Sequence, residues 1–166
     1  MGLFESMIPL PVPFPGARLG LSNIVVLVSI VVFGYKEGLV VATLKSLILM
    51  LVTGAVSSFM FSFAGALLSA IGMILAHKYL SKYISLIGVS EIGSFFHNFG
   101  QVLMASLILQ NKMIFAYLPF LLLLGIFTGY FVGLASIYVV KNLETNFKEI
   151  KRWLYLHQHQ QEDKIY

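Results

Sequence analysis

The chain reads as an all-α, polytopic membrane helical bundle, and three observations lead to that fold. Of its 166 residues 58% are hydrophobic and 11% charged, with a mean hydropathy of +0.89. Eleven bases and seven acids cannot furnish the charged surface of a soluble domain of this size. The apolar residues also gather into five segments near the 20-residue length that crosses a bilayer as helix, with bases concentrated at alternate ends of those segments.

Taken in order, the start MGLFESMIPLPVPFPGARLG carries four prolines from Pro9 to Pro15, so no helix is expected before Gly16. It lacks the basic region and small-residue cleavage site of a signal peptide. The first apolar segment, Leu19 to Gly34, is short and is expected barely to cross, or to be partly re-entrant. The second and third, Gly38 to Val56 and Ser58 to His77, nearly abut and require a tight hairpin around Val56 to Phe59. Leu86 to Gln110 and Ile114 to Val140 complete the set.

Alternating these segments puts Lys36, Lys78, Lys82, Lys141, Lys148, Lys151 and Arg152 on one side, which the positive-inside rule makes the cytoplasm. Arg18 and Lys112 fall on the other side. Five spans leave the N-terminus outside, an odd count that points to a missing first helix. The division is then an integral membrane domain over 1–140 and a cytoplasmic tail over 141–166. In that tail Leu143, Phe147, Ile150 and Leu154 have the spacing of an amphipathic interfacial helix, expected to give way near His157 to a disordered HQHQQEDKIY. The protein is placed in the cell membrane as a multi-pass chain with its C-terminus cytoplasmic.

Lipid gives apolar helices no hydrophobic reason to associate, so close contact at small residues must hold them together. Gly125, Gly129 and Gly133 stand at four-residue steps in GIFTGYFVG, and Ser58, Ser62, Gly65, Ser69, Gly72 and Ala76 share one face of the third segment. Both are read as helix-packing faces.

The stretch EIGSFFHNFGQ places Glu91, Ser94, His97, Asn98 and Gln101 within an arc of about 120° on the fourth segment. An unsatisfied amide or charge in hydrocarbon costs on the order of several kcal/mol, so this stripe must face the interior. Lys45, in the middle of the second segment, makes the same demand, and Arg18 and Asn23 flank the start of the first. The functional reading is a cavity for a small polar, anionic or amide-bearing ligand, with Arg18, Asn23, Lys45, Glu91, His97, Asn98 and Gln101 as its binding residues. The competing reading is an internal Lys45–Glu91 ion pair with His97, Asn98 and Gln101 as interhelical hydrogen-bond glue.

Enzyme chemistry finds little in the sequence. The one aspartate is Asp163, so no paired-aspartate magnesium site for diphosphate chemistry can be built, and no phosphate-binding glycine loop or HExxH motif occurs. Without cysteine there are no disulfides, thiolate metal ligands or cysteine nucleophiles. Neither a cofactor nor a metal site is expected, and the basic balance fits membrane loops better than nucleic acid.

PGARLGLSN (15–23), FSFAGALLS (61–69), SLIGVSEIGSFFHNFGQ (85–101) and LLLLGIFTGYFVGLAS (121–136) together resemble the Gx transporter family, also known as heptaprenyl diphosphate synthase component I. That family is similar to the substrate-binding S-components of energy-coupling-factor (ECF) transporters. The resemblance covers about residues 9–136 and makes Arg18, Asn23, His97, Asn98 and Gln101 motif positions, with Lys45 where a basic residue is usual. It implies a six-helix fold with both ends cytoplasmic, this sequence beginning where the first helix should end. It also implies a transport component for a small polar, flavin-like or vitamin-type molecule, with the lipid bilayer and an ECF-type coupling subunit with ATPases, or another membrane or redox partner, around it. The alternative is a non-catalytic membrane subunit associated with heptaprenyl diphosphate synthase and isoprenoid-quinone metabolism.

Overall fold

A computed structural model describes the backbone of residues 19–54 and 56–162, and the side chains as far as Phe147 apart from those of residues 57 and 58. Among the described residues five α-helices follow one another: α1 Asn23–Val32, α2 Tyr35–Thr53, α3 Val56–Leu80, α4 Leu86–Ile108 and α5 Leu118–Glu162, with a 3-10 helix at Lys112–Tyr117 before α5. The described residues contain no strand, and the fold is the all-helical bundle that the hydropathy pattern predicts.

The local boundaries have local causes. Gly54 ends α2 in the left-handed region at φ 66° and donates its N–H to the Met50 carbonyl at 2.8 Å, a geometry that glycine adopts without a Cβ penalty. The α2–α3 turn therefore sits just before Val56 and not within 56–59 as expected. Asn111 caps the 3-10 helix by accepting from the Met113 N–H at 2.9 Å.

Two expectations about length are corrected. The helix of the first apolar segment is only ten residues, about 15 Å, half of what a hydrocarbon layer of about 30 Å requires. The chain before it turns through Gly20 at φ +83°, outside helical geometry. At the other end, α5 runs 45 residues without a break at 140 and stays helical through His157 to Glu162, where a disordered end was expected. No glycine or proline follows Gly133 to interrupt it. Residues 163–166 lie outside the described structure. Among the described residues, two helical stretches are long and apolar enough to cross a membrane, Phe59–Leu80 and Lys112–Phe147, both with mean hydropathy 2.1.

Each helix packs on the next, and α5 closes back on α1, which also reaches α3. At one end of the bundle the Phe33 ring meets Phe147 edge to face at 6.5 Å, and Tyr35 lies 3.3 Å from His77 Nδ1. That end carries exposed Lys36, Lys78, Lys82 and Lys141. Two apolar clusters fill the interior. One, toward this basic end, contains Leu27, Ile30, Met73 and Val89; the other, toward the far end, contains Phe61, Val102, Ile114 and Leu121.

Candidate functional site

A polar layer separates the two apolar clusters. Counted along the helices from the basic end, Asn23 in α1, Lys45 in α2, Ser69 in α3 and His97 in α4 all lie about 15 Å in, which is mid-depth for α3 and α4. The truncation of α1 is what puts its first turn at this depth. Asn23 is 4% exposed and ties three helices: its Nδ2 donates to Ser69 Oγ at 3.2 Å, and its Oδ1 accepts from Lys45 Nζ. Lys45 also donates to Ser22 Oγ at 3.2 Å. The ammonium, which apolar surroundings would penalise heavily, thus meets a side-chain carbonyl and a hydroxyl.

The stripe on α4 is divided between neighbours. Ser94 donates to the Gly125 carbonyl at 2.8 Å and Asn98 Nδ2 to the Leu121 carbonyl at 3.0 Å, clipping α4 to α5. Gly125 makes this possible, because a methyl there would stand 2.5 Å from Asn98 Nδ2 and 2.9 Å from Ser94 Oγ. Gly129 likewise admits Glu91, whose Oε2 would be 2.9 Å from such a methyl, and Gly133 admits Ile87.

His97 and Gln101 are 2% and 1% exposed and turn toward α3. A methyl on Gly65 would lie 3.0 Å from His97 Nδ1 and 2.9 Å from Gln101 Cγ, while one on Gly20 would lie 3.0 Å from His97 Cδ2. The imidazole is therefore held between the turn before α1 and the α3 backbone. Ser62 and Ser69 are buried on the same α3 face.

Asn23, Lys45, His97, Asn98 and Gln101 are thus brought to one layer, whereas Glu91 sits half-buried nearer the basic end, against Gly129. In the competing reading Lys45 and Glu91 formed an ion pair; here Lys45 points to Ser22 and Asn23. Arg18 lies outside the described residues. Four residues that the sequence reading passed over also join the site: Gly20, Ser22, Ser90 and Thr128. Ser90 was legible as the position four before Ser94 on the same helical face; nothing in the sequence marked Thr128 or the turn at Gly20.

Between the start of α1 and the α4–α5 seam lies a narrow recess, with no room for a water molecule, lined by Gly20, Asn23, Ser90, Ser94, Thr128, Gly129 and Val132. Ser94 and Thr128 both give their hydroxyl protons to the Gly125 carbonyl, at 2.8 and 3.2 Å. Asn98→Ala should lower stability by about 1 kcal/mol, the net worth of one such bond, read as a lower melting temperature in detergent.

Fold and site together define a helical bundle whose interior carries a polar, hydrogen-bonded layer. The family model for heptaprenyl diphosphate synthase component I matches residues 1–139, and the chain belongs to that family. Neither the curated proteins nor the solved structures contain a match.

Proposed function

We propose that this chain is a non-catalytic, membrane-embedded subunit of a heptaprenyl diphosphate synthase assembly, anchoring a soluble catalytic subunit at the bilayer where a long prenyl product must be delivered. The observation that carries this reading is where the polar layer's bonds go: Asn23, Lys45, Ser94 and Asn98 each bond to another helix or the turn before α1. Such bonds suit a scaffold. The family's name supplies the assembly.

In this reading 1–140 form the multi-pass membrane part. The basic end of the bundle and the 141–166 tail face the cytoplasm, in keeping with the positive-inside rule.

The test is reconstitution of the purified chain in liposomes with a soluble prenyl diphosphate synthase subunit of the same organism, following labelled isopentenyl diphosphate. The expected result is that the soluble subunit sediments with the liposomes and that the seven-isoprene product forms only when both chains are present. A soluble subunit that stays in the supernatant, with product length and rate unaffected, would overturn the proposal. Uptake of a small labelled solute by the same liposomes would favour transport.

A further inference from the structure

We infer that the lipid-facing edge of the α4–α5 seam docks a second membrane helix that brings a lysine or arginine to Glu91. This goes beyond the subunit reading: the partner is another membrane chain, and the contact does not depend on a soluble subunit at the basic end. Glu91 is five residues into α4, about 8 Å from its start, and packs against Gly129, which lies twelve residues short of Lys141 on α5. A carboxylate at this depth is costly in lipid and is ordinarily paired. Among the described residues Glu91 makes no hydrogen bond or ion pair. It is half-buried and not closed off, since neither oxygen belongs to the buried unmet atoms.

The seam shows which way the carboxylate opens. On one flank of Gly129, Thr128 and Val132 turn toward α1 and line the inner recess with Ser90 and Ser94, a recess in which Glu91 has no part. On the opposite flank of α5, Ile126 and Tyr130 are 61% and 48% exposed, and Phe95, one turn along α4 from Glu91, is 48% exposed. Glu91 thus lies at the floor of an outward-facing apolar and aromatic edge. Charge decides what covers it. Among the described residues the base within the spans is Lys45, which turns inward to Ser22 and Asn23, while Lys36, Lys78, Lys82, Lys141 and Lys112 stand at the two ends of the bundle. A second copy meeting the first about a two-fold axis would therefore bring acid to acid. Acyl chains would leave the carboxylate unmet. A different helix with one base at this level meets it with opposite charge and covers the apolar flanks as well.

The probe is a synthetic poly-leucine helix of about 20 residues with one arginine about 8 Å from one end, added to liposomes that hold the full-length protein. The chain has no cysteine, so Tyr83→Cys, at a site 83% exposed just before α4, carries a donor dye and the peptide carries the acceptor. Energy transfer should saturate with the arginine peptide at an apparent affinity about tenfold tighter than with an all-leucine peptide, and Glu91→Leu should remove that difference. Glu91→Leu should melt no lower than wild type in detergent, because no partner within the chain loses a bond. Glu144→Gln, which removes an exposed acid at the basic end, should leave the preference intact. Equal transfer with the two peptides, a preference that survives Glu91→Leu, or a Glu91→Leu protein that melts lower would each overturn the inference. Transfer between donor-labelled and acceptor-labelled copies of the protein alone, abolished by Glu91→Leu, would also overturn it by assigning the edge to a second copy.

Discussion

Gly100→Ala is expected to destabilise the bundle by about 2 kcal/mol, although alanine is the better helix former by up to about 1 kcal/mol. The added methyl would stand 2.8 Å from the Ala64 carbonyl oxygen and 3.0 Å from Gly65 Cα. Both obstacles are backbone, so no rotamer change can relieve them, and α3 and α4 must separate. Separation would also disturb the seat of His97 and Gln101 on Gly65, which lies in the same seam. Unfolding by sodium dodecyl sulfate titration in mixed micelles measures the effect. Because propensity and packing predict opposite signs, a stabilised Gly100→Ala protein would show that α3 and α4 are not held this closely.

Asn23→Ala should cost about 2–4 kcal/mol, the largest loss expected from any single polar residue of the layer. It takes the side-chain carbonyl from the Lys45 ammonium and the amide from Ser69 in one step. Much of the loss comes from taking a carbonyl away from a charge in an apolar interior, so removing that charge should return part of it. The double variant Asn23→Ala/Lys45→Met is therefore expected to be more stable than Asn23→Ala alone, with a coupling of about 1 kcal/mol or more in a double-mutant cycle. Strictly additive losses would mean that Asn23 does not hold Lys45.

These two residues also show how far the sequence could be read. Hydropathy and spacing are local properties, and they placed the apolar runs well: the segment predicted over Leu86 to Gln110 is α4 at Leu86–Ile108, and that over Gly38 to Val56 is α2 at Tyr35–Thr53. They also required Lys45 and the α4 stripe to face inward, since neither could face lipid. They did not reveal that the helix of the first segment begins only at Asn23, because a run of apolar residues looks alike whether or not a turn at Gly20 cuts it short. The continuation of α5 past residue 140 escaped for a related reason: polarity rises there, but polar residues without glycine or proline extend a helix as readily as they end one.

The sequence by itself thus determined the helical class, the apolar segments and the set of polar side chains that had to be buried. Only the tertiary structure decided how those side chains are shared. Asn23 meets Lys45 and Ser69 because a half-length α1 brings its first turn to mid-depth, and Ser94 and Asn98 reach α5 carbonyls because Gly125 lets the two backbones close. Ser90 is left facing a recess by the same meeting of helices. A helical period fixes the direction in which a side chain leaves its own axis, whereas its partner depends on the depth and approach of a second helix distant in sequence.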